Sequence, residues 1–267
     1  MPLRGKTALV TGSSQGIGLA VARAMAAAGA RVALTSERPR DRLGDDARVV
    51  LDQPGASYVG PFDLARDGEA DALVAAAWDE LGGIDVLVNN VGTFREPPFL
   101  ELTKANFDLI FSLNVWSAVA VTQAVVRRAV ATGRGGRVLF STSLNGSRSE
   151  PAHTLYDASK GAVNALTRQL AVELAPLGWT TAAVAPGLVE TPLTDFGLRS
   201  DPAARQAVID QIPIRRIATV EEVAGWYVFL ATDAARYATG IVIPVDGGLD
   251  AQQMALRPIT EGERSTF

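Results

Sequence analysis

Short runs of β-branched and apolar residues alternate with longer helical patterns along most of the chain, and no other feature narrows the fold as much. Ala8–Val10 reads as strand, Gly16–Ala28 as helix and Arg31–Thr35 as strand, followed by a broken stretch from Glu37 to Ala56. Ser57–Val59 then reads as strand, Asp67–Leu81 as a helix closed by Gly82-Gly83, Asp85–Val88 as strand and Lys104–Ala131 as a long helix. The second half repeats the rhythm, with strands Arg137–Phe140, Thr180–Val184 and Ile241–Val245 and helices Tyr156–Leu174 and Val220–Ala231. Strands separated by helices join in parallel through right-handed crossovers, so the expected class is α/β, a doubly wound parallel sheet covered on both faces. Pro244 restricts the last strand to an edge. Thr219-Val-Glu-Glu222 is a capping box that opens a helix. No composition shift flanks the broken stretch, so residues 1–267 are expected to form one domain, with a substrate loop at about 192–215 and a tail from about 250.

Composition removes whole classes of chemistry. The formal net charge is −4, which lacks the basic footprint of a nucleic-acid binder or of a protein held to an anionic membrane. With no cysteine and a single histidine, His153, disulfides, thiol catalysis and Cys- or multi-His zinc sites are excluded, and no metal is expected. The apolar run after Lys6 stops at Thr11-Gly12, too short for a secretory signal, so the expected compartment is the cytoplasm. Val115–Val126 is the most apolar long stretch, but Ser117, Thr122 and Gln123 interrupt it and Arg127-Arg128 close it, against a membrane span.

Thr11–Gly18, TGSSQGIG, admits two incompatible readings. Gly12-Ser13-Ser14-Gln15-Gly16 matches the nucleophile elbow of an α/β hydrolase, with Ser14 as nucleophile. The glycines alone match a phosphate cradle, in which Gly12, Gly16 and Gly18 let bare backbone approach a pyrophosphate at a helix N-terminus. An elbow needs an oxyanion loop from an earlier strand, and only ten residues precede Thr11, so the cradle is favoured. A triphosphatase loop is excluded because Leu19-Ala20, not Lys-Ser/Thr, follows Gly18.

Four further motifs fall in order behind this one: Asn89-Asn90-Val91-Gly92 after a strand, Ser143, Tyr156-Asp-Ala-Ser-Lys160, and Pro186-Gly187-Leu-Val189-Glu-Thr191. Together with the cradle they resemble the short-chain dehydrogenase/reductase superfamily over roughly residues 5 to 250, with Val91 in place of the usual alanine. The resemblance implies a Rossmann-type fold and hydride exchange between a nicotinamide cofactor and an alcohol/carbonyl pair. Sugar, polyol or small-ketone substrates are favoured, and a 3-oxoacyl-thioester reductase is the alternative. A non-enzymatic dinucleotide sensor is the reading from another class, disfavoured because such proteins lose the tyrosine or the lysine.

Tyr156 and Lys160 stand four apart and share a helix face. A neighbouring ammonium is expected to lower the phenol pKa toward the working range, making Tyr156 the general acid/base. By resemblance, Ser143 holds the substrate oxygen, Lys160 also binds the nicotinamide ribose, and Asn114 positions a water for proton relay. The same resemblance places the cofactor on Gly12, Ser14, Gln15, Gly16, Ile17 and Gly18, with Ser36, Arg38, Asp63, Leu64, Asn90 and Gly92 toward its adenosine end. It places Tyr156, Lys160, Pro186, Gly187, Val189 and Thr191 around the nicotinamide and phosphates. Asn145 and His153 join Ser143 and Tyr156 as substrate contacts. NADP is slightly favoured over NAD, because Ser36 and Arg38 can accept a 2′-phosphate while Glu37 argues against one. The apolar circumference of Lys104–Ala131 and Tyr156–Leu174 points to a homo-oligomer, and the resemblance to a homotetramer.

Overall fold

The computed structural model describes residues 1–192, 194 and 201–252, so parts of the expected substrate loop and nearly all of the expected tail lie outside the described residues. Seven parallel strands form one sheet in the order β3-β2-β1-β4-β5-β6-β7. They are β1 (Thr7–Val10), β2 (Arg31–Leu34), β3 (Ala56–Tyr58), β4 (Val86–Asn89), β5 (Gly136–Ser141), β6 (Trp179–Pro186) and β7 (Ile241–Val245). Pro244 occupies the edge strand that its missing N–H requires.

The flanking helices are α1 (Gly16–Ala27), α2 (Asp45–Leu51), α3 (Glu69–Leu81), α4 (Lys104–Phe111), α5 (Ser117–Ala131), α6 (Thr154–Leu174), α7 (Pro202–Ile209) and α8 (Val220–Ala231). Strand alternation divides the core between two faces. Ala8 and Val10 pack with α1 and α8 on one side, and Leu9 with α3 and α5 on the other, which is why β1 is apolar at every position after Thr7. Gly82 takes a left-handed conformation to close α3, Asp201 caps α7, and Thr219 with Glu222 forms the expected capping box on α8.

Two elements differ from the sequence expectation. The broken stretch contains α2, whose seven residues bury only Ala47 and Val50 and start at Gly44 without a side-chain cap, too little periodicity to read. The long helix is not regular: Ser112–Trp116 form a π-helical turn between α4 and α5, centred on the buried Asn114. The whole run Lys104–Ala131 is long and apolar enough to cross a membrane, yet half of its most apolar window is buried within the protein, where it packs against α3, β4 and α6.

The strand order reverses at β1 and β4. In open parallel sheets the crevice at the carboxyl ends of such a pair is where ligands bind, and the expected site residues collect there.

Candidate active site

β1 ends at Val10, and the next residues knit three strand ends together. Thr11 Oγ1 donates to the Val88 carbonyl (3.3 Å) and accepts from the Asn90 amide (3.0 Å). The fully buried Ser13 donates to the Val10 carbonyl (2.7 Å) and accepts from the Thr35 amide (2.9 Å). Ser13 is therefore a turn brace, while Ser14 and Gln15 face a cavity of about 290 Å³. Gln15, the N-cap of α1, makes no side-chain capping bond, so the first-turn amides of Gly16, Ile17 and Gly18 have no side-chain acceptor. Gly12 and Gly16 have φ of +61° and +58°, and a Cβ on Gly18 would lie 2.4 Å from the Gly12 carbonyl oxygen. Bare backbone at these three positions is thus a steric requirement, and the cradle fits a pyrophosphate.

Around the same cavity stand Asn90, Gly92, Tyr156, Lys160 and Thr191. Asn90 braces the cradle from behind: its Nδ2 donates to the Gly12 carbonyl (3.1 Å) and its Oδ1 accepts from Ser141 (2.9 Å). An adjoining cavity of about 410 Å³ shares Gly12, Glu37, Val91 and Gly92 and adds Ser36, Asp63 and Leu64, which suits an adenosine. A third, of about 340 Å³, is lined by Ser143, Asn145, His153 and Gly187 and shares Tyr156 with the first. Tyr156 is therefore the wall between a dinucleotide-sized channel and a separate pocket.

Among the expected residues, Arg38, Asn114, Pro186 and Val189 do not line these cavities, and Gly18 is enclosed within the cradle. Arg38 is turned onto Glu37 (Nε to Oε1 3.3 Å), and Val189 is buried in a bridge to Ala218. Asn114 spends both amide hydrogens on the Thr93 carbonyl (2.8 Å) and Ser159 Oγ (2.9 Å), while its Oδ1 accepts from the Thr93 amide (2.8 Å). It pins the β4–α4 loop to the π-helical turn.

Lys160 corrects an expectation. Its Nζ donates to the Ser141 carbonyl (2.9 Å) and lies over the Tyr156 ring, 5.6 Å from the centroid. The phenol is not lowered: burial pushes it above its ordinary value, Ser143 opposes, and Asp157 and Glu150 add to the rise. Burial also brings Lys160 down to about 8. Desolvation is the largest influence on both groups.

Sequence reasoning missed Glu96. Its carboxylate accepts from the Leu155 amide (2.9 Å) and the Tyr156 amide (3.0 Å), capping the first turn of α6 from another loop. The same loop places Phe94 edge-on to Tyr156 and His153, with centroids 6.2 and 5.6 Å away. No local signal marks Glu96, because the capped amides are about sixty residues further along the chain. Removing the cap in Glu96→Ala is expected to lower stability by about 1 to 2 kcal/mol and kcat by roughly tenfold through a displaced Tyr156, with Glu96→Gln recovering most of both. Urea midpoints and steady-state constants for the two variants check this; a kcat unchanged in Glu96→Ala would reduce Glu96 to a surface carboxylate.

A family model described as enoyl-(acyl carrier protein) reductase matches residues 12–250. The chain is 39% identical to L-xylulose reductase of Bos taurus over 92% of this chain and 97% of that protein. The chain belongs to the short-chain dehydrogenase/reductase superfamily. Another member, sorbitol dehydrogenase of Cereibacter sphaeroides, is 34% identical over 93% of this chain and 98% of its own length. A crystal structure with bound NADP, of an Agrobacterium tumefaciens protein provisionally described as a 2-deoxy-d-gluconate 3-dehydrogenase, superposes with a TM-score of 0.83. That protein is 34% identical, and the match covers 94% of this chain and 98% of it. As a short-chain dehydrogenase/reductase, the protein is an NAD(P)-dependent oxidoreductase acting on CH–OH groups.

Proposed function

We propose that this protein interconverts a polyhydroxylated small alcohol and its ketone, with Tyr156 as general acid/base and NADP slightly preferred to NAD. The observation that carries the reading is Tyr156 standing between the dinucleotide channel and the pocket of Ser143, Asn145 and His153. The cradle glycines, Ser14, Gln15 and Ile17 would hold the pyrophosphate, Ser36, Asp63 and Leu64 the adenosine, and Lys160, Gly187 and Thr191 the nicotinamide end. When bound, the nicotinamide supplies the hydride for carbonyl reduction and receives it in alcohol oxidation.

The protein's own part is proton placement. A phenol raised by burial keeps its proton at neutral pH, so Tyr156 is poised to donate it to a substrate carbonyl oxygen as the C–O bond gains charge. Ser143, whose hydroxyl is fixed by the Asn145 amide (3.2 Å), holds that oxygen. Lys160, with its pKa near 8, keeps its proton at neutral pH and offsets the phenolate left behind. In the oxidative direction the alcohol proton returns to the phenolate. Asn145, His153, Thr194 and Gln211 give the pocket hydrogen-bonding groups for further hydroxyls, and the L-xylulose reductase and sorbitol dehydrogenase relatives support that substrate class. The test is a steady-state screen of polyols, ketoses and simple secondary alcohols with each dinucleotide, read at the nicotinamide absorbance band. Turnover confined to non-hydroxylated ketones would overturn the substrate class.

The cofactor preference rests on the NADP-bound neighbour and on Arg38, with Glu37 opposing it from the channel wall. Glu37→Gln is expected to raise the NADP/NAD ratio of catalytic efficiencies and Arg38→Ala to lower it, each by roughly tenfold at low salt and less at high salt. A ratio that moves less than about twofold in both variants would place the discriminating contact elsewhere.

The same reading assigns a homotetramer in the cytoplasm. Phe107, Trp116, Val130 and Val172 are exposed along α4, the π-helical turn, α5 and α6, and Trp226 and Phe229 on α8, two apolar faces that one protomer leaves uncovered. Light scattering is expected to give the mass of four 28.1 kDa chains; a monomer at micromolar concentration would overturn this.

A further inference from the structure

Beside Tyr156, the wall of the substrate pocket is acidic. The Asn145 side-chain amide donates to both Glu150 Oε2 (3.1 Å) and Asp157 Oδ1 (2.8 Å), drawing the two carboxylates together. The Glu150 backbone amide donates to Asp157 Oδ2 (3.2 Å), which fixes the loop in that arrangement. His153 Nδ1 lies 3.2 Å from Glu150 Oε2. Glu150 lines the pocket and Asp157 stands behind Asn145, so two carboxylates act there against one imidazole and the local charge is net negative in either protonation state of the ring.

Lys160, the cation beside Tyr156, lines the dinucleotide channel and not this pocket. Arg148, the cation of the same loop, is turned away onto Asp250, with Nε 2.9 Å from Oδ1. Among the described residues lining the pocket there is no lysine or arginine, and the remaining polar groups are the neutral Ser143, Thr194 and Gln211. Both carboxylates act on the reacting end of the pocket, since Asp157 and Glu150 each push the Tyr156 phenol upward. A carboxylate accepts hydrogen bonds and cannot donate. A ligand hydroxyl beside Glu150 can donate to it, whereas a ligand carboxylate placed there offers only acceptors and like charge.

Building on the oxidoreductase reading, we infer that the pocket selects uncharged polyhydroxyl substrates and rejects their carboxylate counterparts. This separates the chain from its structural neighbour described as a 2-deoxy-d-gluconate 3-dehydrogenase, whose described substrate is a sugar acid. The selection is electrostatic, so it weakens as salt shortens the screening length from about 10 Å at 0.1 M to about 3 Å at 1 M.

The experiment uses pairs of pentitols and hexitols with the aldonates of the same configuration, which differ only in CH₂OH against COO⁻ at one end. kcat/KM is measured for each partner, and binding to the dinucleotide complex is measured by calorimetry. The neutral partner is expected to be preferred by about tenfold or more at low salt. Glu150→Gln is expected to narrow that preference about three- to fivefold, as is 1 M salt. An aldonate that binds and reacts as well as its alditol overturns the inference and leaves the oxidoreductase reading standing, as does a preference that neither Glu150→Gln nor salt moves. If no alcohol or carbonyl is turned over, the oxidoreductase reading falls, and the calorimetric ratio still decides the charge preference.

Discussion

Replacing Tyr156 with phenylalanine is expected to lower kcat by about a thousandfold while leaving dinucleotide affinity within about twofold of the parent. The substitution removes one oxygen and keeps the ring that separates the cofactor channel from the substrate pocket and packs edge-on to Phe94. Its hydroxyl is the proton source in the proposed reaction, and positioned acid/base groups contribute on the order of 10² to 10⁴ in rate. The upper half of that range is expected because the half-buried hydroxyl sits where the two cavities meet and a water there lacks its fixed position. Dinucleotide binding rests on the cradle, which the change does not touch. Fluorescence titration of the reduced cofactor and steady-state kinetics separate the two effects. A variant that keeps more than a tenth of the rate would show that another group supplies the proton. A covalent ester adduct on Ser14 of the parent, together with loss of activity in Ser14→Ala, would instead point to hydrolase chemistry.

The strand and helix order was legible because each element carries its own period, and β1 to β7 begin and end within two residues of the sequence expectation. The cradle, the Asn90 turn and the Tyr156–Lys160 pair were legible for a similar reason: each is a short local motif with its partners close in sequence. What stayed hidden depends on chain segments meeting across the fold. Glu96 caps a helix about sixty residues away. Ser141 joins Asn90 to Tyr227 (2.7 Å) and receives Lys160 on its carbonyl, contacts separated by up to 86 positions. The direction of the Tyr156 shift was misjudged for a related reason. Spacing on a helix shows that a lysine is near, but it does not show the desolvation that raises the phenol and lowers the ammonium. Asn114 was noticed as an awkward residue in a helix, yet the π-helical turn that accommodates it depends on its bonds to Thr93 and Ser159.

Gly18→Ala is expected to weaken dinucleotide binding by at least about a hundredfold, the larger of its two effects, and to lower stability by about 2 kcal/mol. In most helix interiors this change is favourable, because alanine has the higher helix propensity by about 1 kcal/mol. Here the added methyl would sit 2.4 Å from both the Gly12 carbonyl oxygen and Asn90 Nδ2, closer than any carbon can stay. One of three things must move: the Gly12–Gly16 turn, the start of α1, or the Asn90 side chain that donates to the Gly12 carbonyl. Each is part of the cradle, so relief of the clash spreads into the pyrophosphate seat by a few tenths of an ångström or more. Gly68→Ala is the control. Gly68 has φ of +80° and no atom within 4 Å of its would-be Cβ, so alanine there strains the backbone by about 1 to 2 kcal/mol without touching the cradle. Thermal melts and cofactor titrations of the two variants are expected to show comparable destabilisation and very different affinities. If Gly18→Ala binds the dinucleotide as the parent does, the pyrophosphate is held elsewhere than in the turn from Gly12 to Gly18.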